Sequence, residues 1–147
     1  MIFFKKMAKD KASILPDVEE LSEVLYDALF CMSAAHRKMI GDMAYTKCLE
    51  CASLFEMAYD CRDRRAEFTD EFLCTFKTVK RLCRTMVKKN IISIHHTKSG
   101  DEECGIKPDG VKMRMFILIA RIDEQSVKWR NSVARARPAP DPGRQAD

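Results

Sequence analysis

With 147 residues, 46% of them apolar and 33% charged, the chain is long enough for one domain with one core, and this balance excludes a disordered polymer. Glycine and proline number five each, and three of the prolines fall in the last ten residues, so long helices are favoured over many short strands. The longest strongly apolar run, MFILIA at 115–120, is too short to cross a bilayer, and the net charge is a modest +4 whose uneven distribution, an acidic first helix and basic last two, favours a nucleic acid or an acidic protein surface as partner.

Residues 1–15 read as a flexible N-terminal arm, and the apolar run at its start, only four residues long, is too short for the core of a secretory signal. The first helix is expected from Pro16 over about 17–35. Proline suits a first helical position, and Asp17, Glu19 and Glu20 complement the helix dipole. Val18, Leu21, Leu25, Ala28, Leu29 and Met32 recur at helical spacing as its buried face.

After a polar link at His36–Lys38, a second helix is expected over about 39–62. Its apolar period runs through Ile40, Met43, Ala44, Cys48, Cys51, Leu54, Phe55 and Ala58. Gly41, near its start, permits a close approach between helices. The cluster DCRDRRAE at 60–67 reads as a turn, and Thr69 as the N-cap of a third helix over 69–90.

That third helix carries two stripes. Phe72, Phe76, Val79, Cys83 and Met86 form an apolar face, and Lys77, Lys80, Arg81, Arg84, Lys88 and Lys89 take other positions with no acid among them. Asn90 suits a C-cap, and Ile91, Ile92 and Ile94 an apolar plug beyond it. Residues 96–110 show no period and hold three of the five glycines, so a flexible loop is expected. A fourth helix over 111–133 turns Met115, Leu118, Ile119, Ile122, Ser126 and Trp129 inward, with Trp129 as a packing anchor. The Pro-rich tail 134–147 reads as disordered. Four helices with mostly short links predict an all-α, antiparallel up-down four-helix bundle over 16–133.

Catalytic constellations are missing from this pattern. No helix carries an inward pair of carboxylates or a Glu-x-x-His motif, and neither a phosphate loop nor GxSxG occurs, so no enzyme and no cofactor are expected. Cys48-x-x-Cys51 could be half a zinc site or a redox pair. Both cysteines lie in the apolar period of a helix, however, and no second pair has ligand spacing, so buried core thiols and no metal are expected. His95-His96 reads as a polar helix end. The seven cysteines, an odd number at mostly apolar positions, predict reduced thiols in a cytoplasmic protein.

Charge is the remaining signal. Residues 12–35 hold five acids and no base, whereas residues 77–98 hold seven bases and no acid. Cations at i, i+3 and i+4 are neighbours on a helix surface, and such a row matches a phosphate backbone. The basic residues are not interleaved with aromatics, which argues against base stacking.

Three segments together resemble a bacterial four-helix-bundle family. They are HRKMIGDMAYTKCLECASLFEMAYD, FLCTFKTVKRLCRTMVKKNIIS and MFILIARIDEQSVKWRNS, in that order within residues 17–133. The family comprises the accessory variability determinant proteins of diversity-generating retroelements and the proteins encoded in 23S rRNA intervening sequences. The stretch Thr97–Asp109 is longer than the family's usual link, and the second helix is richer in cysteine. The resemblance implies a ring-like homo-oligomer, a homopentamer, that binds a retroelement reverse transcriptase and template RNA or DNA and supports mutagenic cDNA synthesis without catalysing it. It places those contacts on Lys77, Lys80, Arg81, Arg84, Lys88, Lys89, Arg121 and Arg130. Two alternatives stay open: the intervening-sequence branch, whose role is undefined, and a metal- or redox-active bundle using Cys48 and Cys51.

Overall fold

A computed structural model describes residues 2–98 and 101–136, with side chains described for 14–95 and 105–136. It is an all-α helical bundle of four long helices: α1 (Ile2–Leu29), α2 (Asp42–Asp60), α3 (Arg65–Lys88) and α4 (Pro108–Arg135). A two-stranded antiparallel hairpin, β1 (His96–Lys98) and β2 (Asp101–Ile106), precedes α4. The main packing runs around the edges of the bundle: α1 against α2 and α4, and α3 against α2 and α4. This sets α1 and α3 on opposite corners.

The apolar periods build the core as expected. Val18, Leu21, Leu25, Ala28 and Met32 are buried, as are Ala44, Cys48, Cys51, Phe55 and Ala58, and Phe72, Phe76, Val79, Cys83 and Met86. From α4 come Met115, Leu118, Ile122, Ser126 and Trp129, while Ile119 is half-buried. Met43 departs from its expected place and is half exposed. Gly41 meets its expectation: a Cβ there would lie 2.5 Å from Met32 Sδ and 2.8 Å from Leu29 Cδ2. The missing side chain is what lets α1 end against the start of α2.

Helix boundaries differ from the expectation wherever a local signal competed with packing. The residues read as an arm are helical from Ile2, so Pro16 lies inside α1 rather than at its start. Ile14 is fully buried one turn before Val18, so the apolar stripe continues through the proline despite the hydrogen bond it removes. The His36–Lys38 link is helical too. Ser33 Oγ accepts the His36 N–H at 3.2 Å, and a π-helical turn, Arg37–Gly41, leads into α2.

Thr69 is not an N-cap. It is buried, and its Oγ1 donates to Arg65 O at 2.7 Å. The helix starts at Arg65 because a 3-10 turn, Arg62–Arg64, follows Cys61 closely. The Arg65 guanidinium then donates to Ala58 O and Tyr59 O, each at 2.9 Å, satisfying carbonyls orphaned at the end of α2. Burial lowers the pKa of that guanidinium first, and neighbouring Arg62 lowers it further.

The end of α3 follows the expected chemistry closely. Asn90 adopts φ 53, its N–H donates to Val87 O, and the Ile91 N–H donates to Met86 O, which is a Schellman closure. Asn90→Ala is expected to lower stability by about 1 kcal/mol, since a β-carbon is disfavoured at positive φ. Asn90→Gly is expected to hold stability, and urea denaturation of the pair checks the contrast. The plug is formed by Ile91 and Ile92, whereas Ile94 is exposed. The Ser93 and Ile94 N–H groups both donate to Cys31 O at 2.9 Å, tying this segment to the end of α1.

Residues 96–110, expected as a loop, hold the hairpin and the first turn of α4, with Pro108 in that turn. His96 faces Ile106 and Lys98 faces Asp101, with an irregularity between. Two short, irregularly paired strands leave no period of two to read. Of the tail expected over 134–147, α4 takes residues to Arg135, and 137–147 lie outside the described residues.

Candidate nucleic-acid interface

The buried stripe of α3 fixes which side chains face outward. With Phe72, Phe76, Val79, Cys83 and Met86 inside, Lys77, Arg81, Arg84 and Lys88 fall on the opposite side, and all four are exposed. They follow one another at spacings of four, three and four residues, a row of about 16 Å at the helical rise. None forms an ion pair with the described residues. Lys89, the C-cap residue, extends the exposed charge at the end of the helix.

Three further expected residues are placed differently. Lys80 turns toward α4, where its Nζ lies 2.8 Å from Asp123 Oδ1 and 5.6 Å from the centre of the Phe76 ring. Its side chain is 28% exposed, so it ties two helices together rather than joining the free row. Arg121 points to the other flank of α4, with Nη1 3.9 Å from Asp17 Oδ1 on α1. Arg114 makes a similar link to Glu20 at 3.2 Å. Arg130 does lie on the α3 side. It lines a groove of about 370 Å³ with Thr69, Asp70, Leu73 and Cys74. The structure thus brings together Lys77, Arg81, Arg84, Lys88 and Lys89, sets Arg130 over the adjoining groove, and keeps Lys80 and Arg121 apart from them.

Cys48 and Cys51 belong to the core. Both are fully buried, and the Cys48 thiol donates to Val18 O at 3.6 Å. Burial pushes the Cys48 thiol up to about 12 and raises that of Cys51 too. Cys83 is likewise pushed up to about 12 by burial. Neutral thiols are poor nucleophiles and poor metal ligands. Among the described residues, no group of three or more His, Cys, Asp or Glu side chains is placed to hold a metal ion.

Because these folded pKa values lie above the ordinary 9.0, their contribution to stability is intact below about pH 9 and is lost as pH rises toward 12. The fall in stability over that window is expected to be shallower in a Cys48→Ala, Cys83→Ala variant. At neutral pH, a maleimide is expected to label exposed Cys61 and Cys74 in the native protein and to spare Cys48, Cys51 and Cys83 until it unfolds. Peptide mapping of labelled protein checks this.

Sequence reasoning passed over two surface features. Met113, Phe116 and Ile117 on α4 are exposed apolar residues, as is Tyr26 on α1. The signal for the first was available: MFILIA is apolar on consecutive residues, so it must present apolar side chains on both faces of its helix. No described helix is long and apolar enough to cross a membrane. No family model, no curated protein and no solved structure matches the chain.

Proposed function

We propose that this protein is a non-catalytic accessory bundle that binds nucleic acid and a polymerase through the outer face of α3. The observation that carries the reading is the row Lys77, Arg81, Arg84 and Lys88: four exposed cations, one behind another, with no carboxylate engaged. A row of this kind meets a phosphate backbone without reading bases, since the cations supply charge and no aromatic side chains stand between them for stacking. With the family resemblance, it favours a diversity-generating retroelement as the setting. The partners there are a reverse transcriptase and its template RNA or DNA, and the place is the cytoplasm.

The helices run up and down, antiparallel in sequence. The Arg121–Asp17 and Arg114–Glu20 ion pairs support this, since α4 ascends in number where α1 descends. The protomers assemble into a ring-like homo-oligomer, a pentamer by the family's pattern. Arg130 and Lys89 flank the row and extend it.

The test is binding of labelled single-stranded RNA and DNA of mixed sequence to the purified protein. Affinity is expected to change little with base sequence and to fall steeply with salt. Binding that survives high salt, or that follows sequence closely, would replace this reading with base recognition.

A further inference from the structure

The outer face of α4 is apolar where a bundle helix is ordinarily polar. Met113, Phe116, Ile117 and Val127 are 66%, 45%, 50% and 59% exposed, and Ala120 is exposed between them. Their spacing puts them on one stripe, opposite buried Met115, Leu118 and Ile122. Arg114 and Arg121 edge the stripe on the α1 side, each more than half exposed beside its pair with Glu20 or Asp17, while Glu124 stands on the stripe before Val127 and pairs with Lys128 at 3.5 Å. A contiguous exposed apolar patch with a polar rim marks an interaction surface.

A second surface has the opposite character. On the far flank of α1, Tyr26 is half exposed and lies 5.9 Å from Tyr45 of α2, centroid to centroid. Glu23, Asp27 and Ser22 complete a shallow groove around the two rings. Glu19, one turn before Glu23, is exposed at its edge. The groove is aromatic with an acidic rim, and the α4 stripe is an aliphatic and aromatic ridge with two arginines, Arg114 and Arg121, along its α1 edge. The two lie on different flanks of α1, because Asp17 and Glu20 reach α4 while Tyr26 reaches α2. One copy therefore cannot cover its own ridge with its own groove.

We propose that these are the two halves of one contact: the outer ridge of α4 in one copy seats in the Tyr26–Tyr45 groove of a second copy. Phe116 and Ile117 supply the apolar area, and the rim arginines meet Glu19, Glu23 and Asp27 or stack on the tyrosine rings. The complementary rims set direction and register more than affinity. The contact is head-to-tail, so it repeats from copy to copy and closes into a ring when its rotation permits. It leaves the α3 row uncovered on every copy, so one strand of nucleic acid meets several rows at once. The proposal rests on the homo-oligomeric part of the reading above and adds to it the two faces that meet.

The test is light scattering on the full chain and on two variants altered only at exposed positions, each checked for helicity by circular dichroism. A ridge variant carries Phe116→Glu and Ile117→Glu, and a groove variant carries Glu23→Lys and Tyr26→Lys. The parent is expected to be an oligomer, and each variant alone a monomer of 16.9 kDa. An equal mixture is expected to form a dimer of twice that mass, because one intact ridge still meets one intact groove. Loss of assembly in the ridge variant alone, with no dimer in the mixture, would replace this contact with a ridge-to-ridge one. Oligomers that persist in both variants would overturn the contact while leaving the homo-oligomer standing. A parent that is monomeric at high concentration would overturn both. Nucleic-acid binding by the α3 row is read separately from all of these masses.

Discussion

Replacing Trp129 with alanine is expected to cost about 3–5 kcal/mol of folding stability, the largest loss available from a single side chain in this core. The ring is fully buried. It lies 4.7 Å from the Phe55 ring of α2 and 5.5 Å, edge-on, from the Phe72 ring of α3, with Phe72 in turn stacked on Phe76 at 6.0 Å. Its removal therefore opens a cavity where three helices meet, and that cavity cannot collapse without moving two other rings. At this chain length each kcal/mol lowers the melting temperature by about 2–4 °C, so a drop of roughly 10 °C is expected. The indole Nε1 has no hydrogen-bond partner among the described residues, so the ring acts through packing. Trp129→Phe is accordingly expected to lose much less than Trp129→Ala. Urea denaturation followed by circular dichroism gives both values. A loss under about 1 kcal/mol for Trp129→Ala would mean that the three-helix junction does not depend on the ring.

Much of this core was legible in the sequence because helical periodicity survives translation into burial. The stripe Phe72, Phe76, Val79, Cys83 and Met86 is buried without exception, and Trp129 anchors the core as its place on an amphipathic helix implied. The Asn90 cap was legible for a local reason, since few residues adopt positive φ at a helix end.

Boundaries were less legible, because the competing force acts at a distance. Pro16 looks like a start, yet buried Ile14 and Val18 carry the helix through it. Thr69 looks like a cap, yet Arg65 reaching back to Ala58 and Tyr59 starts the helix a turn earlier. The paired strands β1 and β2 had no periodicity to reveal them.

The basic surface was legible as a set of residues but not as a geometry. Spacing alone could not separate Lys77, Arg81, Arg84 and Lys88 from Lys80, because all of them avoid the apolar stripe. Lys80 differs only because Asp123, forty-three positions away, stands opposite it on α4. Arg121 likewise left the set because Asp17 draws it to the α1 flank. Side-chain partners on other helices are not encoded in the local pattern, and they decide which cations are free.

The second large effect follows from that sorting. A variant with Lys77, Arg81, Arg84 and Lys88 all changed to glutamine is expected to keep its fold, since all four side chains are exposed. It is expected to bind nucleic acid much more weakly at low salt. Lys80→Gln alone is expected to leave binding nearly intact and to cost stability slightly, by loss of a half-exposed ion pair worth under about 1 kcal/mol. Had the row been only a solvated face, neither change would alter binding.

The salt dependence of binding discriminates most directly. Removing one cation–phosphate pairing makes the slope of log affinity against log salt shallower by about 0.7 for a single strand and about 0.9 for a duplex. Measured by fluorescence anisotropy over a salt series, the four-glutamine variant should show a slope shallower than the parent's by about 3. Parallel lines of equal affinity for parent and variant would contradict the assignment of the α3 row as the nucleic-acid interface.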